Sequence, residues 1–373
     1  IVSYDAVKAC LKARFKPAFH AANEAVGAYT PSKIVTNDDL SKIVETSDEW
    51  IRSRTGIKER RISQGEDTSY MGIKASEKAI ELANLQREDI DLIVFSTCTP
   101  DMFIPSSACI VQKEMGLKNA VAFDLNAACS GFVYGIDVAR SLMKTNNYKN
   151  ALVIGSENLS KVINWEDRKT CVLFADGAAA VVLSKSESEG IIDSICKSYG
   201  DNGEFLSIGG REIKNPFMDE SISKYQYLDM DGSEIFKFAT SSVTSSIKDI
   251  LQKNNMTIDD IDYIVPHQAN VRIIEYVAKK LKTLDEEINR QAIDLANNTI
   301  EKVKTRMQEQ AEEKEDDMEE LINKMAQVIL SENKQYVGEK VAEAAIKEIQ
   351  EGGNENETKV KKSTRGRKKQ SVN

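Results

Sequence analysis

Between Gly27 and Leu281 the chain alternates short apolar runs, DLIVFST, AVAFDL, ALVIGS, AAAVVLS and DYIVPH, with longer stretches of amphipathic helical spacing. Runs this short and this rich in Val and Ile predict strands, and their nearly unbroken apolar character fits strands covered on both faces. The alternation therefore predicts an α/β architecture with largely buried sheets. A chain of 373 residues, 41% of them hydrophobic, can bury the cores this layout needs, and its length predicts two domains. The same counts exclude other classes. With 19 glycines and 6 prolines the chain is neither collagen-like nor low-complexity, and no apolar run approaches the roughly 18 to 20 residues of a membrane helix. A soluble protein with no membrane partner is the expectation.

Cys10, Cys98, Cys109, Cys129, Cys171 and Cys196 carry no CxxC or Cys/His spacing, in a chain too long to need disulfide staples. That usage predicts a reducing, cytoplasmic location and no metal site. A net charge of −9 argues against nucleic acid as a partner of the body of the protein.

The two ends differ from the middle. Residues 1–26 open IVSYDAVKACLKARF, with no initiator Met and no signal pattern, which reads as a fragment or a processed form. After Thr283 glycine is absent until Gly338, and Glu, Lys, Gln and Ala dominate to about Gln350, so a long charged helix is expected over 283–350. Its apolar residues keep heptad spacing from Ile293 to Met307 and again from Met318 to Val328. Two readings follow, a solvated helix with a narrow apolar seam and a self-associating coiled coil. Residues 351–373 are polar and end in a Lys/Arg run, which predicts a disordered basic tail, either solvating or binding an anionic surface or nucleic acid.

Within the middle, Asp89-Ile90-Asp91-Leu92-Ile93-Val94 is echoed 171 residues later by Asp260-Ile261-Asp262-Tyr263-Ile264-Val265. Each copy follows a helical stretch and precedes a polar turn and another helix. An offset this long is no solenoid period; it predicts two duplicated α/β halves facing one another, 27–188 and 189–282, with a site between them.

Two residues stand out for chemistry. Cys129, in DLNAACSGFVYGIDVARSL, falls where a buried strand ends in a small-residue turn and enters an amphipathic helix. Unpaired N–H groups and the positive end of the helix dipole favour thiolate there, although a buried structural cysteine fits this context equally well. His267, in YIVPHQANVRIIEYVAKKL, is expected at the corresponding strand-to-helix turn of the second half, and paired with Cys129 across the pseudo-dyad it would form a Cys/His site. His20 has no such context.

The segments GAYTPSKIVTNDDL, SDEWIRSRTGIKERR, NAACSGF, DRKTCVLFADGAAAVVL and VPHQANVRIIEYVAKKL occur in order from about Gly27 to Lys282. Together they resemble β-ketoacyl-acyl carrier protein synthase III, of the thiolase-like superfamily. The resemblance implies a five-layered, duplicated αβαβα fold and a homodimer. It implies that Cys129 accepts an acyl group from acyl-coenzyme A as a thioester. His267 then stabilises charge on the malonyl-acyl carrier protein thioester as carbon dioxide leaves, and the enolate attacks acyl-Cys129. Trp50, Arg54 and Arg168 match positions that grip coenzyme A. Arg272, Lys279 and Lys280 match a basic patch that meets the acidic carrier protein, with Lys237 a weaker candidate. No cofactor is implied beyond the coenzyme A thioester, which is a substrate.

The pattern breaks at both ends. The family's asparagine in a Gly-Asn-Thr-Ser turn is missing; Asn298-Thr299 lies at about the right distance but lacks the preceding glycine, and Asn298 is a poor candidate. The closing glycine-rich strand-turn is missing too, and KARFKPAFHAANEAV stands where the first strand belongs. An incomplete second half with exposed apolar surface, followed by the long C-terminal helix, is the structural expectation. Two functional readings stand, a condensing enzyme that initiates fatty acid synthesis and a catalytically defective or non-enzymatic chimera with a self-associating tail.

Overall fold

A computed structural model of the protein describes residues 26–186, 190–210, 214–218 and 227–281. The expectations for residues 1–25, for the helix over 283–350, for Asn298 and for the tail over 351–373 lie outside the described residues. In chain order the elements are β1 (Val26–Tyr29), β2 (Lys33–Thr36), α1 (Asn37–Leu40), α2 (Asp48–Thr55), β3 (Glu59–Ile62), α3 (Thr68–Leu82), β4 (Leu92–Ser96) and α4 (Ser107–Met115). They continue with β5 (Val121–Leu125), α5 (Gly131–Thr145), β6 (Asn150–Asn158), α6 (Arg168–Cys171), β7 (Asp176–Ser184), β8 (Leu206–Ser207), β9 (Asp229–Met230), α7 (Gly232–Lys253) and α8, a helix over 271–281.

The first half is a three-layered α/β body. Its sheet has the order β1-β7-β6-β4-β5, with β4 parallel to both β5 and β6, and β7 antiparallel to β6 and β1. All five residues of β4 are buried, because this strand has neighbours on both edges and helices on both faces. The two-residue period of the strand sorts its side chains. Ile93 and Phe95 pack with Met71, Ala75 and Ala79 of α3 and with Ala108 and Val111 of α4. Leu92 and Val94 point the other way, into the cluster holding Ala139 and Met143 of α5. The four apolar runs of this half are thus the strands β4 to β7, as their composition predicts. The edge strand β1 runs into the GAYTP segment; the stretch KARFKPAFHAANEAV, expected to stand in place of the family's first strand, lies outside the described residues except for Val26. Four residues, paired from Val26↔Val181 to Tyr29↔Ala178, keep that edge of the sheet occupied. A separate two-stranded antiparallel sheet, β2 with β3, carries the charged ERRI segment.

The 171-residue echo is visible in backbone geometry. Two residues beyond α3 stands Asn84 with φ of 53°, and two residues beyond α7 stands Asn255 with φ of 52°. Leu85 N–H donates to Ile80 O at 3.3 Å, and Met256 N–H donates to Leu251 O at 2.9 Å, the same bond one offset apart. Asparagine tolerates this left-handed closure of a helix better than most residues. Each closure is followed by a 3-10 turn, Arg87–Asp89 in one case and Ile258–Asp260 in the other.

There the halves diverge. Leu92–Ser96 is a strand, but 261–270 has no regular structure, so the strand expected in DYIVPH is not formed. A strand is held by ladder partners and covering side chains; Tyr263 and Ile264 are 65% and 40% exposed, and among the described residues no strand pairs with them. The described part of the second half consists of the two-residue pair β8 and β9 with helices α7 and α8. By compactness the chain divides into 1–250 with 259–279 and 251–258 with 280–373; the sheet and every described site candidate except Lys280 belong to the first unit. No helix among the described residues is long and apolar enough to cross a membrane.

Candidate active site

β5 delivers the chain to a tight turn. Asn126 accepts the Ala128 N–H on its Oδ1 at 3.2 Å, Ala128 adopts φ of 45°, and Ala128–Ser130 forms a 3-10 turn that leads straight into α5. Cys129 is the middle residue of this turn and is exposed. Ser96, the last residue of β4, fastens the turn to the sheet by donating its Oγ hydrogen to Gly131 O at 2.8 Å. The approach is close enough to require glycine: a Cβ on Gly135 would stand 2.8 Å from Ser96 Oγ. The thiol is thereby held beyond the carboxyl ends of the parallel strands β4 and β5, where open α/β sheets bind their ligands.

Cys129 lines a cavity of about 630 Å³ together with Cys98, Phe132, Glu157, Leu159, Phe174 and Leu206. Its size is that of a small-molecule site, and its walls are mainly apolar with a few polar groups. The second thiol in the cavity is of a different kind. Burial, with the Glu157 carboxylate beside it, pushes the Cys98 thiol far up, so Cys98 keeps its proton. Burial also raises Cys171 and Cys196. Among the described cysteines, Cys129 alone is exposed on this cavity at the start of a helix.

Glu157 is a cavity residue that sequence reasoning missed. Its carboxylate accepts from Cys98 N–H at 2.8 Å, from Thr97 Oγ1 at 3.1 Å and from Thr99 Oγ1, pinning the turn after β4 that forms one wall. The available signal was an acidic residue closing the buried run ALVIGSE.

Trp50, Arg54 and Arg168 come together. Ser47 caps α2 by accepting Trp50 N–H, and Arg54 lies one turn further on, its guanidinium carbon 4.5 Å from the centre of the Trp50 ring. Arg168, the first residue of α6, places its guanidinium carbon 5.0 Å from the same ring and donates to Glu45 O at 2.8 Å. Both arginines are exposed, so one aromatic ring presents two cations to solvent, a setting suited to phosphate groups.

Arg272, Lys279 and Lys280 lie exposed on α8. Gly56, the C-cap of α2, faces the start of this helix: a Cβ there would be 3.5 Å from Val271 Cβ. Lys237 instead pairs with Glu234 at 2.6 Å, which accounts for its charge locally.

His267 sits in the irregular segment 261–270 and is not on the wall of the cavity that Cys129 lines. The 171-residue offset carries His267 onto Ser96 and not onto Cys129. Its Nδ1 is buried without a hydrogen-bond partner, and burial pushes its pKa down to about 4, leaving a neutral imidazole at pH 7. Among the described residues no cluster of His, Cys, Asp or Glu is arranged to hold a metal ion.

Residues 123–200 match the family described as 3-Oxoacyl-[acyl-carrier-protein (ACP)] synthase III, and 251–320 match its C-terminal part, beyond residue 282 where the resemblance read from motifs ends. The β-ketoacyl-[acyl-carrier-protein] synthase III of Clostridium novyi is 54% identical over 259 residues, covering 69% of this chain and 80% of that protein. Its counterpart in Clostridium acetobutylicum is 53% identical over 255 residues, covering 68% and 78%. Among solved structures, 3-oxoacyl-[acyl-carrier-protein] synthase III from Aquifex aeolicus superposes with a TM-score of 0.64 at 44% identity, covering 69% of this chain and 80% of that one. The synthase III from Thermus thermophilus does so with 0.63 at 37%, covering 69% and 79%.

Proposed function

The chain belongs to the β-ketoacyl-[acyl-carrier-protein] synthase III family, condensing enzymes of fatty acid synthesis with a thiolase-like fold, and on that premise we propose that Cys129 carries the acyl group. The Cys129 thiolate attacks the thioester carbonyl of acyl-coenzyme A, and coenzyme A leaves as its thiolate. Malonyl-acyl carrier protein then loses carbon dioxide. The resulting enolate carbon attacks the acyl-Cys129 carbonyl, expelling the Cys129 thiolate and releasing β-ketoacyl-acyl carrier protein. A thiolate suits both roles, attacking readily and leaving readily. The observation that carries the reading is the exposed Cys129 in the turn that opens α5, on the wall of an apolar cavity.

The other candidates take supporting parts. The ring of Trp50 with the guanidiniums of Arg54 and Arg168 holds coenzyme A through its adenine and phosphates. Arg272, Lys279 and Lys280 meet the acidic carrier protein, and the protein acts as a homodimer. The family resemblance gives His267 a hydrogen bond to the enolate oxygen, a role its neutral imidazole suits but one that requires it to reach the Cys129 cavity, whose wall it does not line here. The comparisons favour this enzymatic reading and lend nothing to a non-enzymatic chimera.

Radiolabelled acetyl-coenzyme A tests the first half-reaction and carbon dioxide release from malonyl-acyl carrier protein tests the second. Label is expected on the peptide containing Cys129 and is expected to vanish in Cys129→Ser. Condensation is expected to be slow, since loss of one donor to a developing oxyanion costs about 100-fold to 1,000-fold and the family's Gly-Asn-Thr-Ser turn is not in the sequence. Label on another residue would overturn the assignment of Cys129.

A further inference from the structure

Arg60 is an arginine that packing alone does not explain. It lies in β3 opposite Val35 of β2 and is 4% exposed. Its hydrogen bonds go to neutral acceptors, to Asn37 Oδ1 at 2.9 Å, Val172 O at 2.9 Å and Val35 O at 3.4 Å, and its Nε has no partner. A buried guanidinium served only by neutral groups costs stability that an apolar side chain of similar length would not. What it supplies is geometry.

Asn37, 1% exposed, is the other half of the arrangement. Its Oδ1 faces Arg60, while its Nδ2 donates to Asp48 Oδ1 at 2.8 Å and to Ile57 O at 2.9 Å. Two acceptors at one end and a cation at the other admit a single amide orientation. Asp48 is the first residue of α2 and Ile57 follows its C-cap, so one side chain grips both ends of the helix that bears Trp50 and Arg54. Val172 is the C-cap of α6, the helix that begins with Arg168.

We propose that Arg60 and Asn37 are positioning residues for the coenzyme A grip, a buried relay that sets α6 against α2 and so holds Arg168 in register with Trp50 and Arg54. The proposal rests on the reading that these three residues bind coenzyme A.

The test uses the full chain with Asn37→Asp, Arg60→Lys and Asp48→Ala. Asn37→Asp keeps an acceptor for Arg60 but sets an oxygen against Asp48 and Ile57 O. Arg60→Lys keeps the charge without the two-way reach. Asp48→Ala cuts the relay at its half-exposed end, and decides the matter if the buried variants do not fold. The readouts are the Kd for coenzyme A by calorimetry, the half-saturating acetyl-coenzyme A concentration and maximal rate for single-turnover acetylation of Cys129, and the rate of Cys129 alkylation by iodoacetamide. The Kd and half-saturating concentration are expected to rise about tenfold, the scale of one misaligned charge-assisted contact, with the maximal rate and the alkylation rate unchanged. Unchanged affinity in the folded variants, or a fall in maximal rate and alkylation without loss of affinity, overturns the relay. Arg54→Ala and Arg168→Ala separate the two claims. If they weaken coenzyme A and the relay variants do not, only the relay fails; if they leave affinity intact, the coenzyme reading fails and the relay with it.

Discussion

Cys129 shares its cavity with Cys98, and the two thiols differ in a way that alkylation can read. Cys98 is held in its protonated form by burial and by Glu157, and Cys171 and Cys196 are raised by burial as well. With iodoacetamide at limiting concentration, Cys129 is expected to be modified first, as mass spectrometry of partially labelled protein would show; equal labelling of the four would contradict the site. His267 offers a second test. Its folded pKa of about 4 lies below the ordinary value of 6.5, so between these values the unfolded chain binds more protons than the folded one. Stability supported by the neutral imidazole is therefore full above pH 6.5 and is lost as pH falls toward 4, by roughly 3 kcal/mol. Urea midpoints measured at pH 7 and pH 5 should differ less in His267→Gln than in the parent chain.

At the scale of the element, β4 is the strand on which the first half depends. Phe95 is fully buried between α3, α4 and the sheet, and Phe95→Ala is expected to cost about 3 to 5 kcal/mol in chemical denaturation. The strands β4 to β7 were legible because each is a continuous apolar run whose pattern survives any choice of partner. DYIVPH carries the same pattern and is not a strand, since pattern records what a segment could bury and not whether a ladder exists to receive it. The pairing of β2 with β3 was illegible for the opposite reason: ERRI is mostly charged, and the buried Arg60 is met by acceptors as distant as Val172, 112 residues away. The site divides along the same line. Cys129, Trp50, Arg54 and Arg168 sit in local motifs that a reader can see, whereas Glu157, Arg60 and Asn37 owe their roles to partners distant in sequence.

For the whole molecule, charge decides how a partner approaches. On the proposed reading, an acidic carrier protein meets a chain with a net charge of −9, so its approach would run through a local basic surface, that of α8. Arg272→Glu is expected to raise the KM for malonyl-acyl carrier protein several-fold at low salt, with the difference shrinking as ionic strength rises and the Debye length falls to about 8 Å at 0.15 M. Lys237→Glu should do little, because that lysine already answers Glu234. An equal effect of the two reversals, or one insensitive to salt, would place the docking surface elsewhere.

Ala128 brings these scales together. An alanine at φ of 45° holds a left-handed backbone that a side chain resists, at a cost of about 1 to 2 kcal/mol, and it does so immediately before Cys129. A glycine there would adopt the same angle without that cost, and would also be free to leave it. Ala128→Gly should therefore raise the melting temperature while slowing acetylation of Cys129. Thermal melts and single-turnover rates moving in opposite directions would mark this turn as a place where the chain gives up durability to keep its nucleophile aimed.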